Sequence, residues 1–422
     1  MAETNHNWAD NYTYTAAAVH YPKTVEQVQE LVRRSHKVKA LGSRHSFNAV
    51  ADTLGDQISL EQFDPDIQID RKRHTVTVSG GVRYGQLCQQ LHQAGYALPN
   101  LASLPHISVA GACSTATHGS GDRNGSLATA VSALEIVIAN GEVITLSRVQ
   151  DKDRFAGAVV SMGGLGVITK VTLDLLPTFE VQQDVYENLP LAALDDHFDA
   201  ITASAYSVSL FTDWRTESIN QVWLKRRVGD QPSEAAPELF GARRQLANLH
   251  PIGGISAVNC TEQMGIPGPW YDRLPHFRME FTPSAGEELQ TEYLVPRHDA
   301  LAAIHAIHAL RDSIAPLLQI SEVRMIAADD LWLSPFYKQP CIGLHFTWKK
   351  DWPAVKQVLP LIEAALAPFH ARPHWGKLFT MSAPRLQGLY QRLADFNNLL
   401  RSYDPDGKFR NGFLDTYVVG TK

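Results

Sequence analysis

The stretch LGSRHSFN, Leu41 to Asn48, follows directly on the short run Val38-Lys39-Ala40-Leu41 and reads as the tight turn at the end of a β-strand. Gly and Ser satisfy the backbone needs of such a turn, so the imidazole of His45 in its middle calls for another use. Upstream, Thr24 to Lys37 is expected to form a helix. Val25, Val28, Leu31 and Val32 make its apolar stripe, and Thr24 with Gln27 makes a capping box. Downstream, Ile67–Asp70 and Thr75–Val78 alternate as half-buried strands. A second amphipathic helix lies around Tyr84, Leu87 and Leu91 and stops at Gly95. Asn140-Gly141 marks a hairpin between LEIVIA and EVITL, and a further strand, Val167–Leu175, ends at Pro177.

At 422 residues the chain exceeds one ordinary core, so two domains are expected, divided near Pro177 into residues 1–177 and 178–422. The second part reads differently, with longer strands (YSVSLFTDW, QVWLKRRV) alternating with helices at His298–Ala315 and Pro353–Phe369. Gly229–Pro237 reads as a loop. The net charge of −6 and the lack of a basic tract argue against nucleic acid. No apolar run is long enough to span a membrane, and MAETNHNWADNYTYT lacks the basic start and apolar core of a signal peptide, so a cytoplasmic location is expected. Cys88, Cys113, Cys260 and Cys341 form no CxxC pair and read as reduced thiols; the sequon at Asn259 then reads as chance. The sequence specifies no oligomeric state.

Neither GxGxxG after a strand nor GxxxxGK[ST] is present, which leaves a dinucleotide Rossmann site and a P-loop unsupported. Instead, Ser108 to Gly125 (SVAGACSTATHGSGDRNG) is a long run of small and hydroxyl residues, and Gly163-Gly164-Leu165-Gly166 is a third small-residue turn. Each alone is as consistent with a surface turn as with a phosphate-binding loop. Three in one domain favour a large phosphate-bearing ligand held by a non-Rossmann fold.

In the second domain, alternation puts Glu322 and Arg324 on one face of Leu318–Ile326. It puts Ile342, Leu344, Phe346 and Trp348 on one face of the strand at Cys341, opposite His345 and Thr347. If the two strands pair, Glu322, Arg324, His345 and Thr347 form one polar cluster suited to a polyhydroxylated ligand. A solvated sheet face with a Glu–Arg pair is the other reading. His374-Trp375-Gly376-Lys377 adds an aromatic and a cation. His305 and His308 lack a third ligand and read as ordinary helix histidines, so no metal is expected. Lys225, Arg226 and Arg227 read as a solvated strand edge. No GxSxG elbow appears.

Taken together, LGSRHSFN (41–48), LPHISVAGACSTATHGSGD (104–122) and MGGLGVITKVTLDL (162–175) resemble the FAD-binding domain of the vanillyl-alcohol oxidase family of covalent FAD oxidases. DPDGKFRNGF (404–413) resembles the end of that family's sugar-lactone oxidases. SAYSVSLFTDW, QVWLKRR, AVNCTEQMGIPGPW, RLPHFRMEFTPS, LHFTW and ARPHWGK resemble its alditol-oxidising branch, so the resemblance runs essentially the full length.

The resemblance implies an α+β, two-domain fold. A PCMH-type FAD-binding domain is joined to a substrate (cap) domain built on a mixed, largely antiparallel sheet with flanking helices. The segment from about 404 to 422 returns to the FAD region. It implies FAD attached covalently through His45. Ala40, Leu41, Gly42, Ser43, Arg44 and Ser46 would wrap the pyrophosphate. Ser108, Cys113, Ala116, Thr117, His118, Gly119, Ser120 and Ile168 would complete the cofactor site. It places substrate binding on Ser108, Glu322, Arg324, Thr347 and Lys377, with His345 and His374 lining the flavin pocket. The implied activity is transfer of a hydride from the terminal CH–OH of a linear polyol to flavin N5, giving the aldose, with dioxygen reduced to hydrogen peroxide. Glu322 and Arg324 would hold hydroxyls, Lys377 and Arg324 would stabilise developing negative charge, and His345 is the first candidate to accept the hydroxyl proton. An aldonolactone oxidase or dehydrogenase on the same scaffold is the near alternative, and a sugar-binding or hydrolytic protein without redox chemistry the distant one. Arg44 and Ala116 stand where glycine is usual; a non-glycine residue resists φ > 0, so these two positions leave the backbone of the FAD loops open, and neither removes a chemical group.

Overall fold

The computed structural model describes residues 5–230, 235–279 and 287–420. The centre of the Gly229–Pro237 loop, the end of RLPHFRMEFTPS and the last two residues lie outside these. Val25–Arg34 is helical, with the Thr24 side chain accepting from Gln27 N at 3.3 Å and Val28, Leu31 and Val32 buried. It stops short of the expected Lys37 because Ser35 turns extended, and the Ser35 hydroxyl donates to Asp56 Oδ2 at 2.5 Å. Val38–Leu41 then forms an edge of a three-stranded parallel sheet in which Asp56–Ser59 is central and Ala18–His20 the far strand.

A five-stranded antiparallel sheet follows, in the order Ile67–Asp70, Thr75–Ser79, Val167–Asp174, Val131–Val137, Val143–Ser147. Asn140-Gly141 turns its last hairpin. Helix Tyr84–Gln93 buries Tyr84, Leu87 and Leu91. The expected loop from Ser108 is not wholly loop, since Val109–Ser114 coils into a short helix with Val109, Ala112 and Cys113 inward. Small residues permit that turn as readily as they permit a loop.

From Glu180 the chain builds a ten-stranded sheet with every pairing antiparallel. Its central order is Glu180–Pro190, Ser218–Arg227, Ser207–Thr212, Leu318–Ile326, Cys341–Lys349, Glu288–Pro296. One face is apolar: Ile342, Leu344, Phe346 and Trp348 are packed under helices Leu191–Thr202, Ala300–His308 and Trp352–Ala365. The expected helix His298–Ala315 is broken into a 3-10 turn, Ala300–His308 and Arg311–Ile314, because Leu310 leaves helical geometry at ψ 7°. The helix expected at Pro353–Phe369 runs Trp352–Ala365 and ends in a separate 3-10 turn.

The reading of Lys225-Arg226-Arg227 as a solvated edge is corrected. Ser218–Arg227 lies between two other strands, and Lys225 and Arg226 are buried. Charge density in sequence does not distinguish an edge from an interior strand whose charges have partners. Arg226 donates to Asp184 at 2.6 Å, and the Arg227 guanidinium lies 4.4 Å from the Phe179 ring centre.

The C-terminal stretch joins the N-terminal core. Phe409 packs with Val28, Val38 and Ile58, and Asn411 Nδ2 donates to the Ala49, Val50 and Asp52 carbonyls. Two further links tie the cap to the first domain. Gly121 N donates to Met325 O and Ala327 N to Asn124 O, at 2.8 and 2.9 Å.

Candidate cofactor and substrate site

A cavity of about 600 Å³ opens between the two sheets. On one side it is walled by the 40–47 turn, Gly80-Gly81, the short helix Val109–Ser114 and Met162–Ile168; on the other by the polar face of the cap sheet. The two N-terminal loops approach closely. A Cβ at Gly42 would sit 2.9 Å from Ser108 Oγ, and Ser43 Oγ accepts from Ser108 N at 3.1 Å. His45 opens onto the cavity, its Nδ1 paired with Ser43 Oγ at 3.1 Å and its ring stacked on Trp8 with centroids 5.5 Å apart. Burial holds the imidazole down at about 4, so it is neutral near pH 7. Arg44 and Ala116 adopt φ 62° and 55° despite their side chains. Both residues take the left-handed conformation that glycine would supply, at an energetic cost.

The strands carrying the polar residues do pair, with Glu322 opposite His345 and Arg324 opposite Gly343. Their shared carboxylate partner is Glu292, on the next strand and opposite His345 on its other side. Glu292 Oε2 accepts from Lys377 Nζ at 2.6 Å and Oε1 from an Arg324 guanidinium nitrogen at 2.8 Å, with His118 Nε2 at 3.2 Å. Burial raises its pKa, but Lys377, Arg324 and His118 more than offset this and leave it well below the carboxylate range. Gly343 leaves the space: a Cβ there would lie 2.9 Å from Glu292 Oε1. Glu322 is likewise held low against burial by Arg324 and His276, whose Nε2 stands 2.8 Å from Glu322 Oε1.

Lys377 Nζ also lies 2.7 Å from His345 Nδ1, and His345 Nε2 lies 3.0 Å from Thr347 Oγ1. Both ring nitrogens are thus engaged within the protein. Burial, with the Lys377 charge adding to it, pushes His345 down to about 4. Lys377 itself reaches the site from the turn after Arg372–Pro373. That turn is tied to the opening stretch: Asn48 Nδ2 donates to the Trp375 and Lys377 carbonyls at 2.9 and 2.8 Å, and Phe47 N to Gly376 O at 2.8 Å.

The cavity therefore gathers Ala40–Ser46, Ser108, Thr117, His118, Ile168, Glu322, Arg324, His345, Thr347, His374 and Lys377. It does not gather Cys113, Ala116, Gly119 or Ser120. The Cys113 thiol faces Tyr84 Oη at 3.6 Å, Ala116 is fully buried behind the short helix, Gly119 packs against Leu101 O, and the Ser120 hydroxyl donates to Val208 O. Glu292 and His276 were missed. Glu292 had a signal, since alternation in ELQTEYL places Glu288, Gln290 and Glu292 on one face; His276, in an irregular segment, had none.

These residues fit FAD on two counts. The loop wall is built from small residues with free approach to the backbone, and Arg324 Nε, buried at the cavity, makes no hydrogen bond among the described residues. Residues 16–147 match the model of the FAD binding domain family, and residues 286–417 that of D-arabinono-1,4-lactone oxidase. The chain is 50% identical to alditol oxidase of Streptomyces sp. over 98% of its own length and 99% of that protein. It is 26% identical to mouse (Mus musculus) L-gulonolactone oxidase over 97% of each chain, and 28% identical to L-gulono-1,4-lactone dehydrogenase of Mycobacterium tuberculosis over 96% and 97%. Its fold matches cholesterol oxidase from B. sterolicum with a TM-score of 0.77 at 16% identity, over 98% and 96% of the two chains.

Proposed function

The chain belongs to the alditol oxidase family of FAD enzymes, and from that premise we propose that it oxidises the terminal CH–OH of linear polyols, such as xylitol and sorbitol, to the aldose, with dioxygen as acceptor. The observation that carries this is the buried cluster of Glu292, Glu322, Arg324, Thr347 and Lys377 facing the loop that bears His45 across one cavity. When bound, FAD supplies the hydride acceptor at N5 and passes the electrons on to dioxygen.

Residues 1–177, with the returning segment 404–422, hold the FAD, and 178–422 otherwise recognise substrate. His45 is the point of covalent attachment. Ala40, Leu41, Gly42, Ser43, Arg44 and Ser46 run along the pyrophosphate, with Ser108, Thr117, His118, Ile168 and His374 completing the cofactor wall. Cys113, Ala116, Gly119 and Ser120 shape that wall from behind.

Ser108, Glu322, Arg324, Thr347 and Lys377 order the polyol hydroxyls so that one carbon lies at the flavin. Arg324 and Lys377 stabilise the negative charge that grows on the reacting oxygen. His345 orders rather than accepts. A lysine ammonium has no lone pair, so Nδ1 takes the Lys377 proton side and Nε2–H is left for Thr347, whose own hydroxyl proton is then free for substrate. With four buried free thiols, a reducing compartment such as the cytoplasm suits the protein.

The test is a peroxide assay over a panel of alditols and sugar lactones, beside acid precipitation of the purified protein. Turnover of alditols with yellow colour retained in the precipitate is expected. His45→Ala should release that colour, and colour retained by this variant would rule out the link. The match of residues 286–417 favours a second reading, an aldonolactone oxidase or dehydrogenase. Faster turnover of lactones than of alditols would establish it.

A further inference from the structure

Behind Glu322 lies a buried chain of groups that the reaction as described does not use. His276 Nε2 faces Glu322 Oε1 at 2.8 Å, and on the other side of the ring Lys225 Nζ stands 3.2 Å from Nδ1. All three side chains are at least nine-tenths buried. Lys225 Nζ also donates to the Leu274 and Pro275 carbonyls, at 2.6 and 2.9 Å. The ring plane is set by edge contacts with Phe211 and Trp223, centroids 5.4 and 5.3 Å away. The backbone on either side is set by Thr261, whose N donates to His276 O and whose hydroxyl donates to Pro275 O.

We infer that His276 is a positioning residue for Glu322, its tautomer fixed from both sides by the Lys225 ammonium and the Glu322 carboxylate. An ammonium has three protons and no lone pair. Two of those of Lys225 go to carbonyls, which only accept; the third meets His276 Nδ1, which must therefore accept as well. The ring proton is then on Nε2 and points at Glu322 Oε1. One carboxylate oxygen is thereby fixed by a neutral donor that brings no second charge, and Oε2 is left to Arg324, at 3.6 Å from Nε, and to substrate. Burial holds His276 down at about 4, which agrees with a neutral ring. With the opposite tautomer, two lone pairs would face each other across 2.8 Å, and Glu322 would have to turn away or take up a proton.

The role of Glu322 toward the polyol rests on the function proposed above; the tautomer does not. Two measurements on the holoenzyme keep them apart. The first is 15N NMR of histidine-labelled protein at pH 6, below the value of about 7 to which burial draws Lys225. The His276 signal, assigned by its loss in His276→Gln, should show the proton on Nε2, and Lys225→Met, which removes the donor to Nδ1 while Glu322 still accepts from Nε2–H, should shift the Nδ1 resonance toward that of a nitrogen without a hydrogen bond. A proton on Nδ1 in the wild type, or no change in Lys225→Met, overturns the inference whatever the enzyme turns over.

The second is steady-state kinetics. His276→Gln, whose amide N–H can stand in for Nε2–H, should hold KM for the polyol within about threefold. His276→Phe should raise KM on the order of tenfold or more with a smaller change in kcat and an unchanged flavin spectrum. Wild-type KM in His276→Phe overturns the positioning role. A wild type inert toward polyols but with the Nε2 proton in place sinks the proposed substrate and leaves the tautomer assignment standing.

Discussion

At the scale of single residues, the cofactor loop is shaped by two positions that resist their own conformation. Ala116, fully buried at φ 55°, bears strain of roughly 1–2 kcal/mol that glycine would not. Glycine would also free the unfolded chain by about 0.4–1 kcal/mol and give up a buried methyl. Ala116→Gly should therefore move stability by less than about 1 kcal/mol, whereas Ala116→Val, β-branched at positive φ, should lose about 2 kcal/mol or more. Thermal denaturation of the two variants checks this. Glu292 matters in another way, as the counter-charge shared by Lys377 and Arg324. Glu292→Gln should cost about 3–5 kcal/mol of stability, since it leaves buried cations uncompensated. It should also lower kcat/KM on the order of 10²-fold. The carboxylate raises the Lys377 pKa against burial, so its removal lets that pKa fall further. The alkaline limb of the kcat/KM profile should then move to lower pH. An unmoved limb would mean that the Lys377 charge is not needed.

At the scale of elements, the site is a seam between two loops and three strands. The alternation in Leu318–Ile326 and Cys341–Lys349 was legible because a strand sends successive side chains to opposite faces, and an apolar set such as Ile342, Leu344, Phe346 and Trp348 declares which face is packed. What sequence alone left open was the strand beside them. Glu288–Pro296, remote in sequence from the Glu322 strand, brings Glu292 into register with His345. The opening turn has a second duty of the same kind, for Asn48 holds the turn that presents Lys377. Asn48→Ala removes three hydrogen bonds worth about 1 kcal/mol each, the two to the turn and the one its Oδ1 accepts from Val50 N at 3.1 Å. It should thus destabilise by about 3 kcal/mol and lower kcat more than it lowers FAD content, read as turnover per bound flavin. Unchanged turnover per flavin would separate the turn from the chemistry.

At the scale of the whole molecule, the buried lysines and histidines act in one direction on stability. Burial brings Lys39 and Lys225 down to about 7 and His276 and His345 down to about 4. Each binds its proton less tightly folded than unfolded, so stability rises with pH from about 4 to 6.5 through the histidines and from about 7 to 10.5 through the lysines. Glu292 and Glu322, held below 4.5, lose their contribution as pH falls below that value. On the other side, burial pushes the Cys113, Cys260 and Cys341 thiols from 9.0 up to about 12, so stability declines above pH 9. Tm should therefore climb from pH 5, keep rising above pH 7 through the lysines, and reach its maximum near pH 9, where the thiols begin to oppose them. A maximum below pH 6 would contradict the neutral buried histidines.

The sequence by itself determined the local pieces: the Val38–Leu41 strand and its turn, the Thr24-capped helix, the Asn140-Gly141 hairpin and the polar face of two strands. Each is written in contacts a few residues apart, through periodicity, capping and turn chemistry. It also carried the family through LGSRHSFN and the small-residue loops. Only the tertiary structure decided that Lys225 and Arg226 are interior, that Arg44 and Ala116 accept positive φ, that Ser108 opens onto a short helix, and that Glu292 and His276 complete the site. These depend on which distant segment lies alongside. A buried charge is tolerated only where long-range pairing supplies its partner, and a strained backbone only where surrounding packing holds it.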